Sequence, residues 1–96
     1  MIIELKKFGL VLTSREAGRE AYAAFLPTLR QISEGELVEI DFEGLGAISP
    51  SWADEFLTPL FKTYGPRLIL RPTNNSSVAP TVNLLEQIHG IKFGNK

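Results

Sequence analysis

Apolar and polar residues alternate between Leu37 and Phe42 in the pattern of a strand with one buried face. The two faces of this strand carry different residues: Val38, Ile40 and Phe42 on one, and Leu37, Glu39 and Asp41 on the other. The segment Arg67–Arg71 is shorter and apolar at its centre, which predicts a second buried strand. Two further apolar runs, 2–5 and 10–12, predict either a hairpin or two successive strands.

Three other segments repeat their apolar residues at helical spacing. The clearest follows the Ser49-Pro50-Ser51 turn and carries an apolar stripe of Ala53, Phe56, Leu57, Leu60, Phe61 and Tyr64. A first helix is predicted from about Arg15, with a kink or restart at Pro27, because proline removes a helical hydrogen bond. A last helix is predicted from Val78, ending before Gly90.

The order of these elements is ββαβαβα, which predicts an α/β fold. Strands that alternate with helices favour parallel pairing through crossover connections. We therefore expect a small mixed, partly parallel sheet of about four strands with about three helices packed on it. A chain of 96 residues normally forms one hydrophobic core, so residues 1–96 are predicted to form a single domain.

The composition narrows the class of protein. The chain has no cysteine, which excludes disulfides and thiol chemistry and is typical of a cytoplasmic protein. Its start lacks the apolar core of a signal peptide, and no apolar run approaches the roughly 20 residues that span a bilayer. Basic residues are not concentrated in one segment, so we expect no nucleic-acid partner and no membrane association.

Charge is distributed unevenly, although the net charge is only −1. Residues 31–61 contain no lysine or arginine but seven acids. These acids are Glu34, Glu36, Glu39, Asp41, Glu43, Asp54 and Glu55. A partner that binds this segment is therefore expected to present a basic surface.

The turn between Phe42 and the central helix is the best candidate for a site, because loops and helix N-termini meet at the carboxyl ends of strands. Either Ser49 caps the helix with Pro50 at its first position, or Ser51 caps it with Asp54 in a capping box. A helix N-terminus also attracts anions, so a serine here could carry a phosphate. Trp52 is expected either to be partly exposed as an interface residue or to fold back over the core.

Residues for catalysis or metal binding are scarce. The single histidine, His89, falls at the end of the last helix, where an imidazole is favourable with the helix dipole. Asp54 and Glu55 are adjacent on a helix and are expected to point in different directions rather than to converge. We therefore predict no catalytic residues, no metal site and no cofactor.

Two segments resemble a known family. The chain resembles the STAS-like domain of unknown function in two segments. The longer one runs from Asp41-Phe42-Glu43-Gly44-Leu45 through Ile48-Ser49-Pro50-Ser51-Trp52-Ala53-Asp54-Glu55, and the shorter one is Ser14-Arg15-Glu16-Ala17. The wider STAS group includes anti-sigma factor antagonists, in which a Ser or Thr at this turn is phosphorylated by a partner kinase. The resemblance implies that Ser51 is that residue and that Asp41 is the acid at the strand end. The chain departs from the antagonist pattern at Ser49 and Trp52, and Asp54 and Glu55 are expected to repel a phosphate on Ser51.

The resemblance implies a non-enzymatic regulatory module in signal transduction. It would bind a protein partner, such as an ATP-binding kinase of the histidine-kinase type, through Asp41, Ser49, Ser51, Trp52, Asp54 and Glu55. One alternative is a small-ligand or nucleotide sensor that uses the same helix N-terminus. Another is a homo-oligomeric interaction domain.

Overall fold

Four strands form one sheet in the computed structural model of the chain, which describes residues 1–95. The strands are β1 (Ile2–Glu4), β2 (Val11–Leu12), β3 (Val38–Asp41), β4 (Ala47–Ile48), β5 (Leu68–Leu70) and β6 (Gly94–Asn95). The larger sheet has the order β1-β3-β5-β6, and β2 pairs with β4 in a separate two-stranded sheet. Every pairing among these described strands is parallel.

Three helices connect the strands: α1 (Arg15–Leu29), α2 (Pro50–Tyr64) and α3 (Val78–His89). Short 3-10 turns at Leu5–Phe8 and Gly65–Arg67 follow β1 and precede β5. The α/β class, the three helices and the four-stranded sheet are as predicted, and the sheet is more regularly parallel than expected. The first two strands are successive strands in different sheets, and the hairpin alternative does not occur because neither pairs with the other.

One face of the larger sheet is buried and the other is partly exposed. Ile3, Ile40 and Leu70 are aligned across three strands, and each is at most 4% exposed. Glu39 and Asp41 alternate with the buried residues of β3 and remain partly exposed, as the pattern between Leu37 and Phe42 predicts. The helices pack on the buried face and complete the hydrophobic core.

Helix α1 continues through Pro27 to Leu29, so the expected restart does not occur. Pro27 lies in the last turn, where the one hydrogen bond it removes belongs to the exposed residue Ala23. Helix α2 likewise continues through Pro59. None of the helices within residues 1–95 has the length and apolar character that crossing a membrane requires.

Candidate functional site

The N-termini of α1 and α2 lie side by side and are tied together by backbone contacts. Ser14 caps α1 by accepting a hydrogen bond from the Ala17 backbone N–H at 2.9 Å. The Ser49 backbone N–H donates to the carbonyl of Leu12 at 2.9 Å, and the Ser49 hydroxyl donates to the carbonyl of Thr13 at 2.7 Å. The chain entering α2 is therefore fixed to the chain entering α1.

Ser49 is the cap of α2, which decides between the two alternatives drawn from the sequence. Its hydroxyl oxygen accepts from the Trp52 backbone N–H at 3.5 Å, and Pro50 occupies the first turn. Ser51 is inside the helix, so a capping box from Ser51 to Asp54 does not form. Ser51 as a residue is partly exposed, and its hydroxyl has no hydrogen-bond partner among residues 1–95.

Trp52 is buried rather than exposed, with 1% of its surface accessible. Its ring stacks on Phe56 with the centroids 4.9 Å apart, and Phe8 lies 6.0 Å away. Trp52 and Phe56 are four residues apart and share one face of α2, so Trp52 extends the apolar stripe instead of lying off it. Of the two alternatives for Trp52, the structure shows the one in which the ring covers the core, so its side chain offers no contact surface to a partner.

The approach of α1 to α2 depends on a glycine. A Cβ atom added to Gly18 in α1 would lie 2.5 Å from the backbone carbonyl oxygen of Trp52, which is closer than real Cβ contacts. Gly18 is therefore the residue that lets the two helix backbones come together at this end of the molecule.

Asp54 and Glu55 converge on one guanidinium, contrary to the expectation that they point apart. Arg15 Nη1 lies 3.0 Å from Asp54 Oδ2 and 2.9 Å from Glu55 Oε2, and these hydrogen bonds raise the pKa of Arg15. Arg19 Nε adds a contact of 3.1 Å to Glu55. The two segments that resemble the STAS-like family are thus joined by ion pairs across the α1–α2 contact.

His89, the last residue of α3, also contacts Asp54. Its Nε2 lies 2.7 Å from Asp54 Oδ1, which also accepts a hydrogen bond from Thr58 at 2.9 Å. Partial burial would raise the pKa of Asp54, but the hydrogen bonds from His89, Arg15 and Thr58 outweigh it and lower the pKa below its ordinary value. Sequence spacing gave no sign of the His89 contact, because the two residues are separated by 35 positions.

Asp41 lies on a different surface from Asp54 and Glu55. Its Oδ1 accepts from the Glu43 backbone N–H at 3.0 Å, and its Oδ2 lies 3.6 Å from Arg71 Nη1. Asp41 lines a depression with Arg71 and the residues after β5, whereas Asp54 and Glu55 line another beside α3. The predicted site residues therefore divide between two surfaces.

Most of the acids in this segment lie close to a cation of the same chain. Five of its seven acids lie within ion-pair distance of a cation: Glu36, Glu39, Asp41, Asp54 and Glu55. The amino group of Met1, 2.7 Å from Glu36, lowers the pKa of that carboxyl. The expected acidic docking surface is correspondingly weaker than the sequence implies.

Comparison with known protein families gives a match. Residues 17–78, more than half of the chain, match the model of the family described as the STAS-like domain of unknown function. The match includes α1 from its third residue onward, β3, the turn before α2 and all of α2. No curated protein and no solved structure matched the chain.

Proposed function

The chain belongs to the family of STAS-like domains of unknown function, and from that premise we propose that it is a non-catalytic regulatory module that binds a protein partner at the N-terminal end of α2. Phosphorylation of Ser51 is the proposed switch. By resemblance to partner-switching STAS domains, the partner is an ATP-binding kinase of the histidine-kinase type.

The observation that carries the proposal is the division of roles between two serines. Ser49 performs the capping, with its hydroxyl engaged on both the Thr13 carbonyl and the Trp52 N–H. Ser51 is the second residue of the helix, is partly exposed, and takes no part in the capping. A phosphate on Ser51 would lie at the positive end of the helix dipole without removing the cap.

The neighbouring acids oppose such a phosphate less than the sequence suggests. Ser51, Asp54 and Glu55 share one side of α2, since residues three and four positions apart are neighbours on a helix. Arg15 bridges both carboxylates, and Arg19 contacts Glu55. This pairing offsets part of the negative charge that a phosphoserine would meet.

The proposed contact surface differs from the set expected from sequence. Ser51 and the exposed start of α1, including Arg15 and Arg19, form it. Trp52 supports the surface from below through its packing on Phe56. Asp41 is excluded, because it lies with Arg71 on the other surface.

The test compares partner binding by four forms of the chain in cells that naturally produce it. The forms are the wild type, Ser51→Ala, Ser51→Asp and the control Ser76→Asp, which places the same charge at an exposed loop serine. Each is captured through a tag, and every co-purified protein is quantified by mass spectrometry.

We expect one ATP-binding protein to co-purify with the wild type, Ser51→Ala and Ser76→Asp. Its amount should fall at least tenfold with Ser51→Asp, which corresponds to about 1.4 kcal/mol of binding free energy. Equal recovery of every protein with all four forms would show that Ser51 does not control a partner.

A further inference from the structure

A cleft opens at the carboxyl edge of the larger sheet, and neither Ser49 nor Ser51 lines it. It lies where β3, β5 and β6 end and where α3 begins, and it encloses about 330 Å³. Ligands in open α/β sheets bind outside the carboxyl ends of the strands, and ligand sites typically measure about 300–1,000 Å³. The position and volume therefore suit a small molecule.

The cleft has an apolar floor and a polar rim. Buried side chains of Phe42, Leu70 and Val78 form the floor, and each exposes at most 6% of its surface. The rim carries two cations and several neutral polar groups: Arg71, Lys92, Thr73, Asn75, Asn83 and Asn95. Such a lining suits a ligand with an apolar body and one charged group.

Arg71 is the cation best placed to bind that group. Its contacts with Glu39 and Asp41 measure 3.9 and 3.6 Å, longer than the roughly 2.7–3.2 Å of a direct N–H···O hydrogen bond. A guanidinium has five N–H donors in a planar fork that matches a carboxylate. A ligand carboxylate could thus form shorter hydrogen bonds to Arg71 than its present neighbours do.

The charged residues that line the cleft favour a ligand with a single negative charge. Glu86 also lines the cleft and is fixed in place because its Oε2 accepts the Phe93 backbone N–H at 2.9 Å. Among the described lining residues, Arg71 and Lys92 therefore exceed the acids by one charge. With Asp41 close to Arg71, a dianionic phosphate would meet stronger repulsion than a carboxylate.

We infer that this cleft binds a small monocarboxylate with an apolar body, its carboxylate on Arg71 and its apolar part against Phe42, Leu70 and Val78. The site is separate from the proposed Ser51 switch and does not depend on it. It also differs from the ligand position expected from the sequence, which was the N-terminus of α2.

The test uses phenylacetate as the probe in an amide NMR titration of the full chain. Phenyl phosphate and benzyl alcohol, which carry the same ring with a dianion or no charge, are titrated in parallel. We expect phenylacetate to give saturable shifts in the amides of Thr73, Val78 and Lys92, with at least tenfold weaker binding of the other two compounds. The amides of Ser51 and Asp54 should not shift.

Two substitutions that remove a charge are expected to change phenylacetate binding in opposite directions. Arg71→Gln should weaken phenylacetate binding at least tenfold, because it removes a charge-assisted bidentate contact. Asp41→Asn should tighten binding, because it removes the carboxylate that competes for Arg71, and an unfolded protein cannot produce tighter binding. Ala79→Tyr, at an exposed lining residue, should block the cleft without a change of charge.

The control Arg30→Gln removes an exposed arginine at the end of α1 and should leave binding unchanged. The inference is overturned if phenylacetate gives no saturable shifts in the cleft. It is also overturned if Arg71→Gln binds as tightly as the Arg30→Gln control, or if phenyl phosphate binds more tightly than phenylacetate.

Discussion

The paired helix N-termini and the cleft beside Arg71 both contain charged residues, but they differ in how closely those charges are matched. At the helix end, Arg15, Asp54, Glu55 and His89 make contacts of 2.7–3.0 Å. In the cleft, Arg71 lies 3.6 and 3.9 Å from its nearest carboxylates. Close matching fixes the position of groups, whereas loose matching leaves a charge that a ligand can bind.

The comparison changes the interpretation of the acidic segment. Asp54 and Glu55 act first as links between α2 and its neighbours, because their carboxylates are engaged by α1 and α3. At this end we propose the Ser51 hydroxyl as a site for modification, in place of a charged docking patch. The cleft, by contrast, has volume and a loosely paired cation.

The largest expected loss of unfolding free energy tests whether the N-terminal end of α2 is part of the hydrophobic core. Trp52→Ala removes a buried ring that stacks on Phe56, and large aromatic truncations of this kind cost about 3–5 kcal/mol of unfolding free energy. Urea unfolding followed by far-UV circular dichroism measures the loss, with Trp52→Phe as the milder control. An unfolding free energy within about 1 kcal/mol of the wild type would contradict the burial of Trp52.

The next effect concerns the helix contact itself. Gly18→Ala places a methyl group 2.5 Å from the Trp52 carbonyl oxygen, so we expect overpacking to cost about 1–3 kcal/mol. Alanine normally stabilises a helix relative to glycine by up to about 1 kcal/mol, so the sign of the effect is diagnostic. Ala23→Val, on the exposed face of α1, is the control and should change stability by less than about 0.7 kcal/mol. A stabilising Gly18→Ala would show that the helices are not in close contact there.

A smaller expected change in unfolding free energy distinguishes the roles of Ser49 and Ser51. Ser49→Ala removes the cap of α2 and should cost about 0.5–2 kcal/mol, whereas Ser51→Ala should change stability by less than about 0.5 kcal/mol. Thermal and urea unfolding of the matched pair provide the measurement. The reverse order would mean that Ser51 is the cap, and the proposed division of roles would be wrong.

The smallest expected change in unfolding free energy occurs only at acidic pH and concerns Asp54. The pKa of Asp54 is lower in the folded chain than in the unfolded chain, so ionised Asp54 stabilises the fold. This stabilisation is fully present above the ordinary aspartate pKa of about 3.9 and is lost as the pH falls through the pKa of the folded chain. For a partly exposed pair we expect less than about 1 kcal/mol. The unfolding free energy of Asp54→Asn should therefore fall less steeply than that of the wild type between about pH 5 and pH 2.

Glu43→Gln is the control for this pH series, because Glu43 is exposed and its carboxylate makes no ion pair within residues 1–95. It should follow the wild-type curve. If Asp54→Asn follows that curve as well, the contacts to His89 and Arg15 do not stabilise the fold.

The sequence predicted the elements with strong periodicity and missed two of the shortest strands. Helix α2 has an apolar stripe over four turns, so the helix itself was evident, although its start was left open between Ser49 and Ser51. The strands β4 and β6 have two residues each, which is too short for any alternation to be visible. They form because a neighbouring strand pairs with them, and that pairing depends on tertiary structure.

The site was predicted in part, for a similar reason. Ser49 and Ser51 were identified from local spacing, and the choice between them required the Thr13 carbonyl, 36 positions away. The exposed alternative for Trp52 came from starting the apolar stripe at Ala53, although the spacing of four between Trp52 and Phe56 was visible in the sequence. Contacts across 39 and 35 positions, from Asp54 to Arg15 and His89, have no local signal at all.

The central claim is that Ser51 is the modified residue of a regulatory surface, and site-resolved mass spectrometry of the chain purified from its natural cells tests it most directly. The peptide that contains Ser49 and Ser51 is sequenced from cells in growth and under stress, with the wild type and Ser51→Ala compared. We predict that a phosphate is found on Ser51 in at least one condition and is absent from Ser51→Ala. An unmodified Ser51 in every condition, or a phosphate on Ser49 instead, would contradict the account.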